Sequence, residues 1–205
     1  MADAWLPGAV RVPADGDGGI QAGGAPRVVW HTTESDPRTT EPRAVAHYLN
    51  QLEYQTHVVW NPLTGEAIQM IPATLAARGL RGRSGGTEIN REGRLCIQIE
   101  VIGFASDPFT RGPLHGLETI LGWLDSWRVP RRWPAGAPTA RPAPSGRSRR
   151  RWAQGGHFGH SQVPEAQHSD PGPIDVQKIT EFDVRVPAAR RQLAQESLDV
   201  QPAWR

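Results

Sequence analysis

His160, His168 and Asp170 stand within eleven consecutive residues. Two imidazoles and one carboxylate around a divalent ion, with a fourth position open, are the ligand set of a hydrolytic zinc site. Two further polar residues stand out by their surroundings. His31 closes the apolar run Val28-Val29-Trp30, and Glu100 lies inside residues 95–102, the most apolar stretch of the chain. A carboxylate beside such a metal, but not bound to it, can serve as general base toward an activated water. Spacing alone does not bring His31 to His160, and a histidine at a strand end is more often a satisfied structural residue. From the residues by themselves, the metal-site and structural readings both stand.

The elements that must carry these residues follow from periodicity and turn chemistry. Arg27–Thr32 and residues 95–102 read as buried strands, apolar at nearly every position. Residues 41–52 read as a helix capped by Thr40, with Pro42 in its first turn and Val45, Tyr48, Leu49 and Leu52 on its apolar stripe. Residues 56–61 and 66–71 form a hairpin around Asn61-Pro62-Leu63-Thr64-Gly65. Residues 113–128 are the strongest helix, with Leu114, Leu117, Ile120, Leu121 and Leu124 in one stripe. Residues 75–90 and 129–156 read as loops, 157–172 show no periodicity, and 173–182 and 187–198 read as two short helices. Strands alternating with helices predict a single α/β layer domain. The expected division is an N-terminal arm (1–26) anchored by Trp5 and Leu6, a domain (27–183) carrying the 129–156 loop as an insertion, and a C-terminal helix or linker (184–205).

Composition narrows the function. The chain has 205 residues, enough for one sizeable domain. Its 22 Gly and 19 Pro imply long loops. No apolar run approaches the roughly 18 residues of a membrane span, so no membrane insertion is expected. Residues 1–24 lack the basic start and apolar stretch of a secretory signal. The formal charge of +2 hides an uneven distribution: residues 128–152 hold eight Arg and no acid, leaving 15 basic against 21 acidic groups elsewhere. That excludes a uniformly basic nucleic-acid binder. The single cysteine, Cys96, excludes a disulfide framework and a four-thiolate zinc site, and its apolar setting makes it a small hydrophobe.

The local sequences add a resemblance. Val28-Val29-Trp30-His31-Thr32-Thr33-Glu34, the hairpin from Thr56-His57-Val58-Val59 to Gln69-Met70-Ile71, Gln98-Ile99-Glu100-Val101, and Gly159-His160-Ser161-Gln162-Val163-Pro164 leading to His168-Ser169-Asp170-Pro171-Gly172-Pro173 occur in that order. They resemble four blocks of the zinc-dependent N-acetylmuramoyl-L-alanine amidases, a family that includes phage endolysins, cell-wall recycling amidases and peptidoglycan recognition proteins. The resemblance covers about residues 27–182 and is nearest in character to endolysins of actinobacterial phages.

It implies a peptidoglycan-recognition-protein-like fold, with a mixed central β-sheet, helices on both faces and a zinc site at one sheet edge, and hydrolysis of the amide between N-acetylmuramic acid and L-alanine. It also implies His31, His160 and Asp170 as zinc ligands and Glu100 as general acid/base. His168 stands where many members have a lysine that stabilises the oxyanion; a neutral imidazole there would donate a hydrogen bond without a fixed charge. Thr56 stands where some members have a tyrosine, which leaves the base role to Glu100 alone.

The implied partner is peptidoglycan, glycan strand and stem peptide together, met by a monomer with no nucleic-acid role. The expected setting is the cell wall, reached by a phage lysin released through a membrane pore, or the cytoplasm of a recycling enzyme. A non-hydrolytic peptidoglycan-binding module and an amidase of soluble muropeptides are the alternatives. The Arg-rich loop, with Trp133 and Trp152 near its ends, reads as a grip on stem carboxylates and sugar rings, a contact to anionic wall polymers, or a solvated loop. His57 reads as a core or supporting residue, His157 as a cleft-lining or plain loop residue, and His47 and His115 as surface or packing residues.

Overall fold

The computed structural model describes residues 2–80, 88–141 and 147–184. The expected helix over 187–198 lies outside the described residues. Six strands form one mixed sheet: β1 (Val10–Arg11), β2 (Arg27–Thr32), β3 (Val58–Trp60), β4 (Ala67–Gln69), β5 (Cys96–Val101) and β6 (Gly156–Gly159), in the order β1-β4-β3-β5-β2-β6. Only the β3–β4 hairpin is antiparallel. β5 and β2 lie inside the sheet, paired on both sides, which is why their sequences are apolar almost without interruption.

Side chains alternate across the sheet. Val28, Trp30, Val58, Trp60, Ile97, Ile99 and Val101 face one layer, where helix α2 (Leu117–Ser126) adds Leu117, Ile120, Leu121 and Leu124. Val59, Ile68 and Ile102 face the other, against Val45 and Ala46 of helix α1 (Pro42–Leu52). Two short helices, α3 (Arg149–Trp152) and α4 (Gln177–Thr180), complete the chain order. The expected α/β class, mixed sheet and two-faced helix layers are what the structure has.

Several local expectations are corrected. Residues 157–172 are not free of regular structure: β6 pairs in parallel with β2. Its two glycines hide any alternation, and it forms because β2 would otherwise present an unpaired edge. The N-terminal arm is irregular over most of its length and Leu6 is buried, as expected of an anchor, yet β1 joins the sheet beside β4 and Val12 is buried as well. Helix α2 starts at Leu117, four residues later than expected, because Gly116 takes a left-handed φ of 82° against Gly65. The cap of α1 is Glu41, without a side-chain bond, rather than Thr40. The stripe on α1 is only half core: Tyr48 is 58% and Leu52 42% exposed.

The described residues of the Arg-rich loop are held by several specific contacts. Trp152 is buried, stacks under the Arg27 guanidinium at 4.3 Å and donates to Glu92 at 2.7 Å. Trp133 donates to Gln162 Oε1 at 2.6 Å. Both indoles belong to the packing, which removes them as sugar-stacking platforms. Arg131 pairs with Asp125, and Arg149 with Glu92 and Glu165.

His157 neither lines the cleft nor sits in a loop. It lies on β6, fully buried, stacked on Trp30 with Nδ1 accepting the Trp30 indole N–H at 3.1 Å. His57 is also buried; Nδ1 accepts the Gln98 N–H at 3.0 Å and Nε2 donates to Leu75 O at 2.9 Å. Burial pushes His57 down to about 4 and His157 down to about 3. An unfolded chain takes up these protons near pH 6.5, before the folded one does, so stability is complete above that pH and lost as pH falls toward 4 and 3. The stability gap between wild type and His157→Phe, measured by urea unfolding, should narrow by up to about 1.4 kcal/mol per pH unit below 6.5. A constant gap would mean an imidazole already charged or solvated.

Candidate metal centre

The register of the central strands places the first two site residues. His31 is opposite Glu100 in the β2–β5 ladder, and alternation turns both toward the α1 side of the sheet. The third comes from the end of β6, where the chain leaves the sheet and turns through a short 3-10 segment, His160–Gln162. The closing segment folds back on this turn: Ser161 N–H donates to Asp170 O at 2.8 Å. Arg147, from the Arg-rich loop, ties both sides together by donating to Ser161 O at 3.0 Å and His168 O at 3.4 Å. The site thus spans the C-terminal ends of β5, β2 and the edge strand β6.

His31, His160 and Asp170 converge, with one ligand atom of each within 4.8 Å of the others. His160 Nδ1 lies 3.2 Å from both Asp170 oxygens, and His31 Nδ1 lies 3.5 Å from Asp170 Oδ2. Bond lengths of about 2.0–2.2 Å in a tetrahedral zinc site put ligand atoms about 3.3 Å apart, so the donor set fits zinc in type, and the distances of both imidazoles to Asp170 are close to that spacing. The charge states suit it too. Burial, then the neighbouring His160, pushes His31 down to about 3, which keeps it neutral. Burial pushes Asp170 upward, but the proximity and hydrogen bond of His160, with His31 and His168, bring it down to about 2. Neutral imidazole and ionised carboxylate are the metal-binding forms.

Glu100 stands beside the group rather than in it. It is 9% exposed, with Oε2 3.9 Å from His31 Nδ1. Burial, then Asp170 and Glu34, pushes its carboxyl up to about 8, so in the absence of a cation it carries a proton at neutral pH. His168 is half exposed and stacks on His160, ring centroids 4.1 Å apart, with Nδ1 3.8 Å from Asp170 Oδ1. Burial and His160 lower it from the ordinary imidazole range, leaving it uncharged at neutral pH.

These residues form one end of a cleft of about 770 Å³. One wall is α1, through Ala44, Val45, Tyr48, Leu49 and Leu52, continued by Tyr54 and Thr56; Thr33 and Glu34 also line it. The exposed Tyr48 and Leu52 belong to this wall, which periodicity cannot separate from core. Glu34 and Arg147 carry no site role in the sequence reading. The one available signal for Glu34 was its place three residues after His31, immediately beyond a strand end.

No family model matches the chain, and no curated protein does. Solved structures match its fold. A selenomethionine derivative of AmpD is 18% identical, with a TM-score of 0.54 over 88% of this chain and 97% of that one. The endolysin N-acetylmuramoyl-L-alanine amidase LysCS from Clostridium intestinale is 13% identical, with a TM-score of 0.50 over 87% and 96%. The hydrolase AmiA of Staphylococcus aureus, solved with its ligand, is 12% identical, with a TM-score of 0.51 over 82% and 74%. At these identities the likeness is one of fold.

Proposed function

We propose that the protein is a zinc-dependent N-acetylmuramoyl-L-alanine amidase that cuts peptidoglycan in an endolysin-like role. The observation that carries this is the meeting of His31, His160 and Asp170, with Glu100 outside the ligand set, in a cleft on a fold shared with amidases. When bound, zinc supplies Lewis acidity, lowering the pKa of bound water to about 7 and polarising the amide carbonyl. His31, His160 and Asp170 would hold the ion, and all three line the cleft. Beside a bound dication the Glu100 carboxylate ionises and accepts a proton from the attacking water at Oε2. The C–N bond then breaks, and Glu100 delivers that proton to the departing L-alanine nitrogen. The lactyl carboxylate stays on the sugar, and the stem peptide leaves with a free amino terminus. His168, uncharged, donates a hydrogen bond to the carbonyl oxygen as its negative charge develops.

The test is mass spectrometry of peptidoglycan digested with and without a chelator. The expected products are free L-alanine amino termini and no new reducing sugar ends, with turnover lost on chelation. Release of reducing ends would overturn the amidase reading. Wall binding that persists without metal and without product would support a non-hydrolytic module, and turnover of soluble muropeptides alone would confine the substrate to those.

A further inference from the structure

We infer that Glu34 is a positioning residue of the metal centre, setting the geometry of its ligands through the loop that follows β5. This rests on the zinc reading above. Glu34 lies just past β2 with φ of 53°, a left-handed backbone unusual for a residue with a side chain. That conformation returns the carboxylate over the strand end. Oε1 accepts two hydrogen bonds of 2.8 Å, one from the Thr32 hydroxyl and one from the Ala105 N–H. The first fixes the carboxylate to the residue after His31. The second fixes the segment after Glu100's strand.

Ala105 is in turn the surface against which the closing segment rests. A Cβ on Gly172 would lie 2.0 Å from Ala105 O, and Gly172 itself has φ of 74°. The Gly172 N–H donates to Ser169 O at 3.2 Å, closing the turn that contains Asp170. Glu34 therefore sits where three segments meet: β2 with His31, the chain beyond β5 with Glu100, and the turn with Asp170. Its neighbours extend the junction, with Thr33 N–H donating to Val101 O at 3.0 Å and Ser35 N–H to Gly103 O at 3.3 Å. Backbone strain held in place by hydrogen bonds at a site mouth is the pattern expected of a group that pre-organises its neighbours. Residues supporting metal ligands from outside affect affinity strongly even without touching the ion.

The experiment measures zinc affinity by competition with a chromophoric chelator, alongside the visible spectrum of cobalt-substituted protein. Glu34→Ala should weaken zinc about 10- to 100-fold and alter the cobalt spectrum. Glu34→Gln keeps an oxygen that accepts both bonds and should stay within about threefold of wild type, since only the loss of a partner leaves a donor unsatisfied. Thr32→Val, which keeps side-chain shape, should weaken zinc in the same direction, and combining it with Glu34→Ala should add little. Urea unfolding of chelator-treated protein reads the fold separately. Wild-type affinity in Glu34→Ala, or equal loss in the Gln and Ala variants, would overturn the positioning role. Wild-type protein that binds no zinc would overturn the metal reading itself, and this inference with it.

Discussion

Glu100→Gln should retain a full equivalent of zinc and lower kcat on peptidoglycan by about two to four orders of magnitude, the span that a positioned general acid/base contributes. Gln matches Glu in volume, so the 9% exposed pocket between β5 and the ligands stays filled. The lost capacity is the proton. An amide oxygen 3.9 Å from His31 can orient a water but cannot take its hydrogen, and it has nothing to return to the leaving nitrogen. Burial, then Asp170 and Glu34, keeps metal-free wild-type Glu100 protonated at pH 7, and taking up that proton costs stability that an already neutral Gln does not lose. Metal-free Glu100→Gln should consequently be no less stable than metal-free wild type at pH 7. The pair of measurements that decides the matter is metal content and kcat together. Turnover at the wild-type rate with zinc bound would remove Glu100 from the chemistry.

His160→Ala should have the opposite signature and lose both metal and activity. His160 contacts each of the other centre residues: Asp170 at 3.2 Å, the His31 ring at 4.4 Å and the His168 ring at 4.1 Å. Its removal would delete one of the three proposed ligands and release the Asp170 carboxylate from His160, 3.2 Å away. Zinc content should fall close to zero and turnover to background. A second readout is thermodynamic. A ligand that binds only the folded state stabilises wild type by about 4 kcal/mol at a free concentration 1,000-fold above Kd. Wild-type protein should show that increment on zinc addition, seen as a shift in the urea midpoint, and His160→Ala should show none. Zinc-dependent stabilisation surviving in the variant would place the ion elsewhere.

The legibility of this molecule followed burial. Arg27–Thr32 and Cys96–Val101 were readable because strands buried on both faces must be apolar throughout. Glu100 stood out for the same reason, as a carboxylate where none should be tolerated without a purpose. β6 was not readable. Gly156 and Gly159 carry no side-chain signal, and the strand exists through backbone pairing with β2. That omission also misplaced His157, which only the pairing buries. Tyr48 and Leu52 fell on a correct helical period, yet a period locates a face without saying whether protein or a cleft lies over it. Trp133 and Trp152 looked like exposed platforms because Arg and Pro surround them in sequence. Their indole N–H groups found Gln162 and Glu92, which are remote in the chain. The meeting of His31 with His160 did not follow from spacing. The family resemblance supplied it as an expectation, and the parallel β2–β6 pairing accounts for it physically.

That pairing also bears on how the protein comes into being. The Trp30–His157 bond, one residue before His31 on β2 and three before His160 at the end of β6, closes a span of 127 residues. Contacts so distant form only after a large loss of chain entropy has been met, and topologies rich in them fold slowly. Until β6 has been synthesised and has docked on β2, the nascent chain holds His31 and Glu100 but neither His160 nor the turn of Asp170. A nascent chain that stops before residue 170 therefore lacks part of the proposed centre, whose residues come together only after β6 and the turn behind it have been made.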